Sequence, residues 1–506
     1  VPRPNILLIS VDQWRGDAFS GAGHPVVMTP YLDQWAATGT RFSRAYSATP
    51  TCIPARAALL LGQSQERHGR VGYRDGVPWD YPTTLAGELT AGGYRTQAVG
   101  KMHVYPERNP MGFQDVALHD GFLHFARRNH RDLTEVDDYL AWLREETGDP
   151  TADYADHGID CNSVVARPWP REERLHPTNW VVSRSIEFLR EHTAGRGEGG
   201  GDGGGGEGGE GAEEQPFFLM ASFHRPHPPY DPPAWAFEQY VHQPMPEPPV
   251  GDWAEEMWGA HASTAADAPV ARYDARTLQR ARAGYYGHMS HIDQQINRLL
   301  EELTSLGLRE DTVVCLVADH GELMGDHHLF RKSLPYEGSA RIPFLLSTPE
   351  QLGGRRGQVR GDAVVELRDV MPTLLECAGL PVPDSVDGRS VLPLHRGEPV
   401  PDGWRPWLHG EHTHIGGDVH YLTDGREKYV WRSGDGAEQL FDLAADPTEL
   451  HDLARAATPA NQERVALWRG RTAEALDGRP EGFVKDGALV AGVPVGALIP
   501  SVADTC

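Results

Sequence analysis

Short apolar runs alternate along this chain with stretches whose apolar side chains recur every three or four positions. Asn5 to Val11 reads NILLISV, an unbroken apolar run of the length expected for a buried parallel strand. Gly93 to Gly100 (GYRTQAVG), Phe217 to Phe223 (FFLMASF), Thr312 to Ala318 (TVVCLVA) and Ile342 to Ser347 (IPFLLS) share that character. Helical patterns lie between them. One opens at Thr29-Pro30, another at Thr83-Thr84, and a third covers about Asn179 to His192. The longest covers about Ala271 to Leu306, where Tyr285, Met289, Ile292, Ile296, Leu299 and Leu303 form one stripe. That stripe reads as core packing. Strands and helices in alternation predict an α/β fold with a large, mixed, mostly parallel sheet flanked by helices.

The pattern changes past about residue 400. His420 to Leu422, Lys428 to Arg432 and Gln439 to Asp442 read as a small antiparallel meander, with turns at Asp424-Gly425 and Gly434-Asp435-Gly436. A helix over about Pro459 to Leu476 follows. The expected organisation is a catalytic α/β domain over 1–400 and a smaller C-terminal α+β domain over 401–506. Residues 195–214 (GRGEGGGDGGGGEGGEGAEE) are low complexity and read as a disordered surface insertion. The Pro-rich stretch 227–249 reads as a long ordered loop.

Composition narrows the class. Of 506 residues, 39% are hydrophobic and 24% charged, which fits a soluble globular enzyme. The net charge of −25 argues against nucleic acid as a partner, because phosphate backbones need basic surfaces. A small anionic substrate stays compatible, since a metal and a few cations set the local field. The five cysteines are scattered and odd in number, so no disulfide framework is implied. No apolar run approaches the length of a membrane span. No signal peptide is visible, which favours a cytoplasmic location. The first residue is not Met, so a removed leader leaves a secreted or periplasmic location open.

The candidate chemistry sits where strands end. Asp12-Gln13 follows the first run, and Asp319-His320-Gly321-Glu322 follows the run 312–318. Ligands of open α/β sheets gather at the carboxyl ends of the strands. Three oxygen donors and one imidazole converging there suit one divalent cation. Oxygen donors favour Ca²⁺ or Mg²⁺, and the nitrogen also admits Mn²⁺ or Zn²⁺. Gly100-Lys101-Met102-His103 ends another run. His224-Arg225-Pro226-His227-Pro228-Pro229 follows Phe223, and Arg331-Lys332 follows the pair His327-His328. Any one of these cations alone would be surface or satisfied core. Together they make the positive lining that a tetrahedral oxyanion requires.

Cys52-Ile53-Pro54-Ala55-Arg56 precedes Ala57-Ala58-Leu59-Leu60-Leu61, a strongly helical stretch. Proline is compatible with a helix's first turn, so Cys52 falls at a helix N-terminus that favours an anion. A plain thiol there would be a low-pKa nucleophile.

The C-x-P-x-R pentapeptide, with these surroundings, resembles the sulfatase family, formylglycine-dependent members of the alkaline phosphatase superfamily. The resemblance includes PNILLISVDQ, TPYLDQWAATGTRFSRAYSATPTCIPARAALLLG, GGYRTQAVGKMH and PFFLMASFHRPHPPYDPP. It continues through YYGHMSHID, ADHGELMGDHHLFRKSLPYEGSARIPF and LFDLAADPTELHDLA. It implies an alkaline-phosphatase-like fold and a sulfuric ester hydrolase. Cys52 would be converted by a formylglycine-generating enzyme to an aldehyde whose hydrate attacks sulfur. The second hydroxyl of the hydrate then lets sulfate leave by elimination, which a Ser or Cys adduct cannot do.

By the same resemblance Asp12, Gln13, Asp319 and His320 hold the metal, with Ca²⁺ expected first and Mn²⁺ or Mg²⁺ as alternatives. Arg56 steadies the formylglycine, and Lys101 and Lys332 bind sulfate oxygens. His103 takes the proton that releases sulfate. His227 protonates the leaving oxygen, with His224 a weaker second candidate. The Asp-Gln and Asp-His pairs depart from the commonest Asp-Asp and Asp-Asn pattern and resemble choline sulfatases and phosphonate monoester hydrolases. The Gly-Lys-x-His element favours a small sulfate ester as substrate over a phosphonate. A phosphonate monoester or phosphodiester hydrolase is the alternative enzyme. A non-catalytic binding protein on the same scaffold would have lost ligands or nucleophile, and none is missing.

Overall fold

The computed structural model describes residues 3–121, 124–130, 132–197, 215–414 and 417–500. Its central feature is an eight-stranded sheet. In chain order the strands are β1 (Asn5–Asp12), β2 (Thr40–Phe42), β3 (Arg95–Gly100), β4 (Asp115–Leu118), β5 (Phe217–Pro226), β6 (Thr312–Ala318), β7 (Phe344–Ser347) and β8 (Gln358–Arg360). The spatial order is β4-β3-β5-β1-β6-β7-β2-β8. The five strands from β4 to β6 run parallel, whereas β7 is antiparallel to both β6 and β2. The sheet is therefore mixed and mostly parallel. Every residue of β1, β5 and β6 is buried, which explains why their sequences read as apolar runs rather than alternating ones.

Helices cover the sheet: α1 (Pro30–Ala36), α2 (Cys52–Leu61), α3 (Leu85–Ala91), α4 (Pro177–Gly197), α5 (Ala234–Val241) and α6 (Ala275–Ser305). The expected stripe of α6, from Tyr285 to Leu303, is buried throughout. Helix α5 falls inside the Pro-rich stretch expected to be a loop. Pro233 caps it, and Ala236, Phe237 and Tyr240 give it a buried face, so proline marks its start rather than preventing it. Of the low-complexity stretch, 195–197 end α4, and 198–214 lie outside the described residues.

Beyond residue 400 an antiparallel sheet is formed by β9 (Leu408–His414), β10 (Gly417–Thr423), β11 (Glu427–Arg432) and β12 (Glu438–Asp442), followed by α7 (Pro459–Leu476). The meander and helix match expectation, and β9 is an addition. Its sequence LHGEHTH shows little apolar pattern because Glu411 is buried against Arg479, which donates to both carboxylate oxygens at 2.8 and 3.2 Å. One face of this sheet packs Leu422, Tyr429, Trp431 and Leu440 on Trp468 and Leu476 of α7. The other packs Tyr421, Val430 and Phe441 with Trp253 and Tyr336.

Candidate active site

Parallel strands put their carboxyl ends on one edge, so β1, β3, β5 and β6 deliver Asp12, Lys101, His227 and Asp319 to the same place. The pairing of β1 with β5 shifts there. Val11 lies opposite Phe223, but Asp12 lies opposite Pro226, so His224 and Arg225 have no partner on β1. An irregularity of this kind re-aims side chains beside a site. On β3, Gly100 has φ of +99°, and a Cβ there would lie 1.9 Å from the Ser222 carbonyl oxygen. Only glycine permits that approach, which lets Lys101 N donate to Ser222 O at 2.9 Å.

Cys52 is the first residue of α2 and only 1% exposed. The helix is Ala- and Leu-rich, all ten residues are buried, and Gly62 ends it in the left-handed conformation. Pro54 removes an N–H that a first turn leaves unpaired in any case. The Cys52 sulfur lies 3.2 Å from His320 Nε2, 3.2 Å from Lys332 Nζ and 3.7 Å from Asp12 Oδ1. Burial and Asp12 push its pKa up, but Lys101, Lys332 and His320 outweigh them and hold it well below the ordinary thiol value.

The acidic groups are held by opposite charges. Burial favours a neutral Asp12, but Lys101, His227, Lys332 and His320 keep its pKa well below the ordinary range. Lys101 Nζ donates to Asp12 Oδ2 at 2.5 Å. Asp319 Oδ1 accepts from the backbone N–H of Gln13 at 3.0 Å and of His320 at 2.9 Å. Arg56 donates from Nε to Asp319 Oδ2 at 3.1 Å, and from Nη1 to Lys101 O at 2.8 Å and Ser222 Oγ at 3.0 Å. Gln13 adopts φ of +66°, and its carbonyl accepts from the Tyr285 hydroxyl at 2.7 Å. Its side-chain N–H donates to Glu322, so Oε1 is turned to Lys332 Nζ, 2.9 Å away.

This donor set fits a divalent cation. One ligand atom from each of Asp12, Asp319, His320 and Cys52 lies within 4.8 Å of the others, and all four residues are buried. His320 donates from Nδ1 to Gly321 O at 3.0 Å, so Nε2 is the nitrogen turned to the carboxylates. That is how a metal-ligating histidine is oriented. Gln13 adds an amide oxygen beside the cluster.

The histidines are differentiated by their partners. His227 donates from Nδ1 to Pro228 O at 2.8 Å, leaving Nε2 with a lone pair. Burial and Lys332 hold its pKa well below the usual imidazole value. His224 accepts at Nδ1 from Arg225 Nη1 at 2.5 Å, and burial with Arg225 also keeps it neutral. His103 adopts φ of +55°, and Asp120 Oδ1 fixes that turn by accepting from Met102 N at 2.7 Å and His103 N at 2.8 Å. Burial and Lys101 lower the His103 pKa, but Asp75 and Cys52 outweigh them and raise it.

Cys52, Lys101, His103, His224, His227 and Lys332 all line one cavity of 410 Å³. Its remaining wall is rich in Tyr73, Val77, Trp79, Tyr105, Phe125 and Phe330. Arg225 does not belong to the cationic lining expected of it. It is fully buried and donates to Asp231 at 2.9 and 3.1 Å, because the strand irregularity turns it into the interior. Four residues that support the site were not singled out from sequence. Asp120 and Ser222 act across long sequence separations and left no local signal. Glu322 had one, since it follows His320 by two positions, and Asp75 lies on a loop with no strand to place it.

An anion-favouring helix end, a divalent-cation donor set and two lysines over one apolar-walled cavity define an enzyme site for the ester of a tetrahedral oxyanion. Comparison with known proteins narrows the class. The Sulfatase family model matches residues 4–169 and 209–380, and a model described as N-sulphoglucosamine sulphohydrolase, C-terminal, matches 325–467. The chain is 44% identical to an arylsulfatase of Clostridium perfringens (strain 13 / Type A), over 98% of this chain and 99% of that one. It is 28% identical to the multifunctional alkaline phosphatase superfamily protein PehA of Trinickia caryophylli, covering 89% and 91%. Among solved structures, the phosphonate monoester hydrolase of Agrobacterium radiobacter superimposes with a TM-score of 0.74 at 27% identity, covering 94% and 95%. The chain belongs to the sulfatase family and is a sulfuric ester hydrolase. Among the described residues no helix is long and apolar enough to cross a membrane.

Proposed function

We propose that the chain hydrolyses aryl sulfate esters in the cavity above Cys52, using a formylglycine made from that cysteine. The observation that carries this reading is the position of Cys52. It opens α2 on the cavity floor, 3.2 Å from both Lys332 Nζ and His320 Nε2. The formylglycine supplies a hydrated aldehyde as an oxygen nucleophile that can later expel sulfate. A divalent cation on Asp12, Gln13, Asp319 and His320 supplies Lewis acidity beside it, with Ca²⁺ expected first and Mn²⁺ or Mg²⁺ next.

The chain's own residues do the rest. Lys101 and Lys332 bind the sulfate oxygens, and the α2 N-terminus adds to the positive field. Arg56 steadies residue 52, and its Nη2 has no hydrogen-bond partner among the described residues. His227 protonates the leaving oxygen from Nε2. It is neutral in the free site, and the charge of a bound ester offsets Lys332 and raises its pKa. His224 cannot take up a proton at Nδ1 while Arg225 donates to it, which favours His227 as the acid. His103 accepts the proton whose loss releases sulfate. The aromatic wall of Tyr73, Tyr105, Phe125 and Phe330 supports a flat aryl leaving group.

We assign the catalytic unit to residues 1–400 and a smaller unit to 401–506. Because α2 is wholly buried, a formylglycine-generating enzyme would have to read residues 52–56 before the chain folds. A second reading, a phosphonate monoester or phosphodiester hydrolase, draws on the Asp-Gln and Asp-His pairs and on the likeness to the Agrobacterium radiobacter hydrolase. Lys101 and His103 favour the sulfate. Turnover of an aryl sulfate and the matching aryl phosphonate by one preparation decides between them. The sulfate is expected to have the higher kcat/KM, and a clear preference for the phosphonate overturns the proposal.

A further inference from the structure

The loop from Gly69 to Val77 forms one wall of the cavity and carries two side chains that face His103. The Tyr73 hydroxyl lies 3.1 Å from Asp75 Oδ1 and 3.4 Å from His103 Nε2. Asp75 Oδ1 is itself 3.7 Å from the same Nε2. The loop does not hang free. Val71 N and Gly72 N both donate to Ala497 O, at 3.0 and 3.1 Å, and Ile499 N donates to Gly69 O at 2.9 Å. The C-terminal segment thus fixes the backbone just before Tyr73.

The proton positions follow from what each group can do. Burial alone would raise the Asp75 pKa, but His103 and the hydrogen bond from Tyr73 outweigh it and lower it, so Asp75 is a carboxylate and can only accept. Tyr73 must therefore spend its single proton on Asp75, and burial and Asp75 keep that proton in place by raising the phenol's pKa. Toward His103 the phenol oxygen can then only accept. His103 Nε2 carries the proton, and in the neutral ring Nδ1 has the lone pair. That Nδ1 is buried and has no hydrogen-bond partner among the described residues. The ring stands beside Cys52 on the cavity wall.

We propose that Tyr73 and Asp75 are positioning residues that lock His103 in its Nε2–H tautomer, leaving Nδ1 as the base that faces residue 52. This inference rests on the role of His103 in the proposed function. When the O–H bond at residue 52 breaks, its proton passes to His103 Nδ1, and the resulting imidazolium is paired with Asp75 through Nε2. Orienting a catalytic imidazole through its far nitrogen is a general device, because the wrong tautomer offers no lone pair where the proton is released. Here the orienting carboxylate acts through a phenol at the mouth of the substrate cavity. Tyr73 is 46% exposed, so a substrate entering the cavity meets the group that sets the tautomer.

The test is nitrogen NMR of histidine-labelled full-length protein, read together with turnover. Above the raised pKa of His103, where its ring is neutral, the wild type is expected to show the Nε2–H tautomer. In Asp75→Asn the new amide can donate to Tyr73, which frees the phenol to donate to Nε2, so the tautomer shifts to Nδ1–H. The same variant is expected to lose about 10- to 100-fold in kcat with KM little changed, as outer-sphere partners of functional histidines do. Tyr73→Phe keeps the ring packing and removes the relay. It is expected to leave a mixture of tautomers and a smaller loss, and Asp75→Glu to recover part of the Asn loss. An Nδ1–H signal in the wild type, or an unchanged tautomer in Asp75→Asn, overturns the inference. His103→Ala separates the two levels: full turnover there overturns the base role of His103 itself, whatever the tautomer.

Discussion

Two lysines, Lys428 buried and Lys332 half-buried, teach what separates structural charge from a candidate reactive site. Lys428, on the C-terminal sheet, donates to Pro335 O at 2.7 Å and Glu449 Oε1 at 2.8 Å and forms an ion pair with Glu337 Oε1 at 2.9 Å. Its charge is matched by two carboxylates, and it does not line the cavity above Cys52. Lys332 is spent on Gln13 Oε1 and the Cys52 sulfur, and it borders a 410 Å³ cavity with Lys101. Both clusters bury charge, but only the second holds its cations around space that an anion can fill. Burial of charge alone therefore identifies nothing; an incomplete partner set beside a cavity does.

Breaking the reactive cluster should remove turnover, and breaking the closed one should remove stability. Cys52→Ala is expected to abolish sulfate ester turnover with the circular dichroism spectrum unchanged, because the proposed function makes Cys52 the precursor of the nucleophile. Lys332→Ala is expected to lower kcat/KM by about 10²- to 10³-fold, the usual effect of deleting one oxyanion contact. Its urea midpoint should move little. Lys428→Met should do the reverse. It leaves Glu337 and Glu449 buried without their cation, a loss of about 3–5 kcal/mol in urea unfolding, with the kcat of folded protein preserved. Chelation should lower both turnover and melting temperature, and added Ca²⁺ or Mn²⁺ should restore them. Asp319→Asn should lose bound metal by elemental analysis.

The smallest effect concerns acid. Burial alone would raise the Glu66 pKa, but its hydrogen bond with His409, 2.9 Å away, prevails and holds the carboxyl at about 2. A value below the ordinary 4.5 means that the contribution is complete above that pH and is lost as pH falls toward 2. Glu66→Gln should flatten that part of the acid-unfolding curve, while the response of turnover to Lys332→Ala stays the same.

Much of this comparison is legible in the amino-acid sequence. Buried parallel strands announce themselves as apolar runs, and their ends then place Asp12, Lys101 and Asp319 on one edge. Helix α2 is written in local propensity, so Cys52 at an N-terminus follows from sequence. What escaped was set by distance along the chain. Arg225 reads as one more cation, but the irregular pairing of β5 turns it onto Asp231. Asp75 lies on a loop whose position depends on a segment more than 400 residues away, where Ala497 accepts from Val71. Strand β9 was missed because its buried side chains are polar and paired by Arg479, which no periodicity reveals. Helix α5 was missed because proline density masked its short apolar face.

The central claim is that Cys52 is a precursor rather than the working group, and mass spectrometry of active protein tests it most directly. The peptide spanning residues 52–56 is expected to lack the cysteine sulfur and to carry an aldehyde oxygen in its place, with two hydrogens fewer. The modified fraction should rise and fall with specific activity across preparations. An unmodified thiol at Cys52 in fully active protein would contradict the account.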